Sequence, residues 1–157
     1  MFRKHAKVIY PRFGAGQVIE KFKLAVDGEE KHYLKVEFFN SAVSVSIPVS
    51  KAADLGLRKP LTKKNLLEKL DKLGSKVNIT DRTLKQLDEQ TRSRLLSGGI
   101  DDTIKLVNTL KSLARKKREE NKNFSYTVSE QMEIAVDFLK SEIELVLGKK
   151  ALGHYDL

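Results

Sequence analysis

The sequence of 157 residues predicts an α+β chain in which a small bent β-sheet precedes a compact helical domain of four to five helices. Two patterns and a break between them predict this. Apolar residues alternate at period two as far as Pro48, and beyond Pro60 they recur at helical spacing. Between them Arg58-Lys59-Pro60 has the composition of a connector. The expected organisation is a sheet domain at 1–58, a helical domain at 61–148 and a flexible tail at 149–157.

Lys7-Val8-Ile9-Tyr10 is short and rich in β-formers, and Pro11 to Gly16 punctuates it with turn residues. Gln17 to Phe22 resumes as a strand. Val26-Asp27-Gly28-Glu29 carries a hairpin signal, because Asp-Gly tolerates the positive φ that tight hairpin turns require. From His32 to Phe39 the set Tyr33, Lys35, Glu37 and Phe39 opposes Leu34, Val36 and Phe38. After a turn at Asn40-Ser41, Val43, Val45 and Ile47 share one face of a last strand, with small Ser44 and Ser46 on the other. Short strands joined by tight turns make a small, strongly bent sheet or barrel.

Ser50 to Leu55 has room for one helical turn before Gly56. Thr62 is placed to cap a helix running to Leu73, with Leu66, Leu67, Leu70 and Leu73 as its stripe and Gly74 as its stop. Thr80 or Asp81 caps a second helix through Leu84, Leu87, Leu95 and Leu96, closed by Gly98-Gly99. A third places Ile100, Ile104, Val107, Leu110 and Ala114 on one side. Thr127-Val128-Ser129-Glu130 reads as a capping box for the fourth, whose apolar face runs from Val128 to Val146. No pattern is expected after Gly148.

The net charge is +9, which favours polyanionic partners. It is unevenly spread: residues 61–122 hold 16 basic and 9 acidic side chains, whereas 123–148 hold one basic and five acidic. The last helix is therefore expected to pack rather than to meet phosphates. Arg115-Lys116-Lys117-Arg118, preceded by Lys111, is the densest basic run and a candidate phosphate clamp, although the helix dipole favours cations there with no ligand at all. Arg82, Lys85, Arg92 and Arg94 on the second helix are further candidates, interleaved with acids as on an ordinary solvated face. Aromatic interleaving is absent there, so duplex contact is expected rather than single-strand binding.

The absence of cysteine excludes disulfides and thiolate metal sites and suits a cytoplasmic protein. The N-terminal residues lead into no long apolar region, so no signal peptide is expected, and no stretch approaches the ~20 apolar residues that cross a bilayer. His5, His32 and His154 are isolated, with no metal pair at helical spacing. Phe13-Gly14-Ala15-Gly16-Gln17 lacks the Lys-Ser/Thr ending of a phosphate loop and reads as a turn. No catalytic residue, metal site or cofactor is expected, and the chain reads as a non-enzyme.

Val8-Ile9-Tyr10-Pro11-Arg12-Phe13-Gly14-Ala15-Gly16-Gln17-Val18 resembles the opening signature of the CarD/CdnL regulators, shared with the polymerase-interacting module of transcription-repair coupling factors. Tyr33-Leu34-Lys35-Val36, Val45-Ser46-Ile47-Pro48, Leu55-Gly56-Leu57-Arg58 and Leu95-Leu96-Ser97-Gly98-Gly99 follow in the family's order and spacing. The resemblance runs from about residue 7 to 148. It implies a Tudor-like sheet that docks on the β subunit of bacterial RNA polymerase by sheet extension. It also implies helices that touch double-stranded promoter DNA at the upstream edge of the transcription bubble and stabilise the open complex. A monomer without cofactor, in the bacterial cytoplasm at the nucleoid, is what the family implies. The rival expectations are an architectural DNA-binding protein or an adaptor, neither touching polymerase.

Carried over, the polymerase-binding set is Lys23, Val43, Ser44, Val45, Ser46, Ile47 and Pro48. The DNA-binding set is Arg82, Leu84, Lys85, Arg92, Arg94, Lys111, Arg115, Lys116, Lys117 and Arg118. Family members often carry an arginine where this chain has Ser46 and another near Leu24, with Lys23 as its substitute here. Many have a DNA-wedging tryptophan in the helical region. This chain has none, and the family's spacing from Gly98 lands on Leu84, equally suited to a wedge or to a core position. Gln86 and Leu87 stand where arginines are expected.

Overall fold

The computed structural model describes residues 2–97 and 99–157, with the backbone alone for 88–92 and 94–96. Four antiparallel strands come first: β1 (Lys7–Tyr10), β2 (Gly14–Val26), β3 (Glu29–Phe38) and β4 (Ser44–Pro48), in spatial order β1-β2-β3-β4. A 3-10 turn at Val49–Lys51 follows, then helices α1 (Lys63–Leu70), α2 (Asp81–Ser97), α3 (Ile100–Glu119) and α4 (Tyr126–Leu147). A 3-10 helix over Lys149–His154 closes the chain.

The sheet is a curled half-barrel with both faces used. Val8, Val18, Leu34, Val36 and Ile47 point inward, and the chain after β4 brings Ala52 and Leu57 across to cover them. Each fully buried aliphatic side chain of this kind contributes about 1.5–3 kcal/mol. A register shift between Val18 and Glu20 bends β2. At the far end of the hairpin Asp27 and Gly28 have φ of 53° and 80°, the two positive values of the tight turn that Asp-Gly favours. The opposite face of β1 and β2 is covered by α4, where Ile9 and Ala15 bury Phe138.

That contact explains the glycines of the first motif. Gly14 and Gly16 belong to β2 rather than to the turn the sequence suggests, and Ser141 Oγ accepts the Ala15 N–H at 3.0 Å. Gly14 has φ +75°, and a Cβ there would collide with Ser141 Oγ. A Cβ on Gly16 would sit 2.6 Å from the Glu37 carbonyl oxygen. Gly14→Ala is expected to cost about 2–4 kcal/mol, from left-handed backbone strain and overpacking together, read as a lower urea midpoint.

The helical core gathers Leu66, Leu70, Leu87, Ile104, Leu106, Val107, Leu110, Leu139 and Ile143. Thr62 caps α1 through the Asn65 N–H at 3.3 Å, and Thr80 caps α2 through the Thr83 N–H at 3.2 Å. Three expectations need correcting. α1 stops at Leu70, because the chain unwinds through turns before Gly74 at φ +91°, and Leu67 is exposed. Ser125, not Thr127, caps α4, so the helix begins two residues earlier than the capping-box pattern suggests. The tail is not patternless: Leu152, Tyr155 and Leu157 pack against the helical core. Gly99 has an extended φ of −80° and sits ahead of α3, while Gly98 lies outside the described residues.

Asp101 in the first turn of α3 accepts from Lys69 Nζ at 2.7 Å. That hydrogen bond, and beyond it the charges of Lys69, Lys72 and Lys105, hold its carboxyl below its ordinary value of 3.8 against a smaller opposing effect of burial. Its contribution is present above the unfolded carboxylate range and lost as pH falls through the lowered folded value. The pair is half-exposed, so Asp101→Asn is expected to cost under about 1 kcal/mol at pH 7, shrinking to nothing in acid, as parallel urea melts at the two pH values will read.

Candidate interaction surfaces

The two edges of the sheet differ. β1 is closed on its outer side, because Ile9 N–H donates to the Arg58 carbonyl at 2.8 Å and Arg58 N–H returns to the Ile9 carbonyl at 3.0 Å. β4 pairs with β3 on one side and is the last strand of the order. Two observations fix which of its groups point outward. Phe39 N–H bonds to the Ala15 carbonyl, so by alternation Leu34 and Val36 turn their polar groups toward β4, opposite Ile47 and Val45. Pro48 has no N–H, which agrees with its lying in the outward phase. Ser44 and Ser46 therefore present N–H and C=O to an incoming strand, and both are exposed. Val43 precedes the strand and is 50% exposed rather than sharing the buried face of Ile47.

The register also sorts the cations. Lys35 stands directly across from Ser46, and Leu24 and Lys31 share their face of the ribbon, reached through the Tyr33–Phe22 pair. Lys23 pairs with His32, on the opposite face from Ser46, and its Nζ lies 3.8 Å from Glu30. Lys35, which motif comparison did not single out, is thus the cation beside the serine. Finding it required the register of three strands.

In the helical part, Lys116 Nζ donates to the Ile79 carbonyl at 3.2 Å, which seats the start of α2 beside the C-terminal end of α3. The exposed Arg82 and Lys85 and the exposed Arg115 and Arg118 thereby belong to neighbouring helix ends, with Lys117 partly buried between. Lys116 itself is one rung of a ladder. Asn108 accepts from Gly74 N–H at 2.8 Å and donates to the Lys72 carbonyl at 2.9 Å, and Ser112 accepts from Val77 N–H at 3.0 Å. Residues 108, 112 and 116 lie four apart on one face of α3 and hold the irregular segment 72–79 by its backbone, whose polar groups need partners. Leu84 is half-buried against the helical core, and Lys111 Nζ is 3.8 Å from Asp156. The side chains of Arg92 and Arg94 lie outside the described residues.

Beside the Ile9–Ala15–Phe138 contact, a buried carboxylate fastens the helices to the chain that leaves the sheet. Glu142 of α4 is 0% exposed; its Oε1 and Oε2 accept from Arg58 Nη2 at 2.7 Å and Nη1 at 2.8 Å, and Oε2 also accepts Leu61 N–H at 2.9 Å. Read from the sequence, Arg58 is a connector and Glu142 one of the acids of a packing helix; nothing periodic links positions so far apart.

Among the described residues no helix is long and apolar enough to cross a membrane, and no group of three His, Cys, Asp or Glu is placed to hold a metal. Residues 2–61 match the family model of the CarD-like/TRCF RID domain. No curated protein matches the chain.

Proposed function

We propose that the chain, whose residues 2–61 match the family model of the CarD-like/TRCF RID domain, is a transcription regulator bridging RNA polymerase and promoter DNA. The single observation that carries the reading is the asymmetry of the sheet: one edge is closed by Arg58, and the other offers Ser44 and Ser46 to a strand of the β subunit. The helices then meet promoter DNA at the upstream edge of the bubble, with Arg82, Lys85, Arg115 and Arg118 on phosphates. Tethering raises the local concentration of the helical half near the promoter. If that half binds melted DNA better than closed duplex, the open complex gains population by that difference in affinity. The monomer performs no covalent chemistry and works in the bacterial cytoplasm. Lys116 is assigned to the fold rather than to DNA, and Leu84 to the core.

The test is a promoter-opening assay with a fluorescent base in the bubble, using polymerase holoenzyme and the full chain. A rise in the open fraction that saturates with added protein is expected. DNA binding without association with polymerase would instead support an architectural protein, and polymerase association without salt-dependent DNA binding an adaptor.

A further inference from the structure

Against α3 lies a concave notch of about 240 Å³ built from three separate segments. Lys76 comes from the loop after α1, Lys111 and Arg115 from α3, and His154 from the C-terminal 3-10 helix. Lys76, Arg115 and His154 are exposed at its rim, and Lys111 is partly buried in its wall. The acid among its lining residues is Asp156, whose carboxylate stands 3.8 Å from Lys111 Nζ. The surroundings are firm. Asn108 and Ser112 fix the loop that carries Lys76, and Tyr155 anchors the final segment on the helical core.

The geometry points to a phosphate-binding notch in which Lys76, Lys111, Arg115 and His154 converge on one phosphate group, with Asp156 as a built-in competitor for Lys111. Cationic donors from several directions suit a tetrahedral oxyanion, and Arg115 supplies a planar fork for two of its oxygens. A neighbouring carboxylate holds the lysine while the site is empty and is displaced when phosphate arrives. Lys76 and His154 thus join Arg115, already assigned to DNA contact, and Lys111, a candidate from the sequence. The inference deepens the proposed function and rests on it only for the source of the phosphate, a DNA backbone. A free phosphate compound has the same chemistry.

The experiment is a titration of the full ¹⁵N-labelled chain, followed by amide shifts, with a promoter-length duplex in one arm and inorganic pyrophosphate in the other. Shifts at Gly74–Lys76, Lys111, Arg115 and His154–Asp156 are expected in the duplex arm. Arg115→Gln is expected to weaken duplex binding roughly tenfold, the worth of a charge-assisted hydrogen bond. Asp156→Asn is expected to tighten it roughly two- to fivefold. Asp54→Asn, which makes the same charge change on the sheet half, is expected to leave it unaltered. Shifts in the notch with pyrophosphate alone support the site and assign it to free phosphate, which removes DNA from the proposed function. Duplex binding that shifts other amides and ignores Arg115→Gln and Asp156→Asn overturns the notch while leaving DNA contact intact. No response in either arm overturns both.

Discussion

Arg58→Ala is expected to cost about 3–5 kcal/mol, more than half the stability of an ordinary domain at the lower end of the range. The reason is asymmetry within the pair. Arg58 retains 25% side-chain exposure, so a carboxylate removed from beside it leaves a cation that still reaches water. Glu142 has no such recourse, and without the guanidinium it keeps only the Leu61 N–H as an observed donor. Glu142→Gln is therefore expected to be milder, since its amide oxygen still accepts from Leu61. The double change Arg58→Met with Glu142→Met is expected to be less harmful than Arg58→Ala alone, because no buried charge remains. Urea denaturation of the four proteins checks the order, and an Arg58→Ala loss below 1 kcal/mol defeats the account. The functional consequence is separable. Arg58 closes the β1 edge with its backbone and grips α4 with its side chain, so its truncation loosens the helices on the sheet, leaving the Ile9–Ala15–Phe138 contact and β4 in place. Polymerase association is expected to survive in folded Arg58→Ala protein while promoter opening falls.

The features legible in the sequence are those with a local cause. Alternation of Leu34, Val36 and Phe38 against Tyr33, Lys35 and Glu37 fixed the faces of β3, and Asp27-Gly28 fixed the hairpin, because period and turn chemistry act over a few residues. Thr62 was recognisable as a cap for the same reason. The helix α4 shows where this reasoning ends. Its acids marked it as a poor phosphate ligand, yet Glu142 is buried, and its partner lies 84 positions away in a segment that reads as linker. Ser141 is equally silent in sequence and meets Gly14 and Ala15 across 126 positions. Lys116 shows a different limit. A basic run at the end of a helix looks like one surface, but consecutive helical residues point 100° apart, and one of the four turns back to hold the Ile79 carbonyl. The same geometry hid Lys76 and His154, which are isolated in sequence and neighbours only through α3.

Ser46→Pro is expected to lower polymerase affinity about tenfold, the worth of one hydrogen bond at the upper end of its range, while the fold holds. The separation follows from the phase of β4. Ser46 points its N–H away from β3, so proline there removes a bond that only a docking strand makes, and its ring occupies the space that strand needs. Val45 supplies the contrast. Its N–H points toward Val36, so Val45→Pro breaks the ladder of β4 itself and is expected to lower stability as well as binding. Lys35, across from Ser46, is positioned to meet an acidic side chain on the incoming strand, and Lys35→Ala is expected to slow association more than it speeds release. Binding of the variants to immobilised polymerase, with a urea melt of each, distinguishes the cases. If folded Ser46→Pro protein binds as the parent does, the open edge of the sheet is not the docking surface, and polymerase is held by side chains elsewhere on residues 2–61.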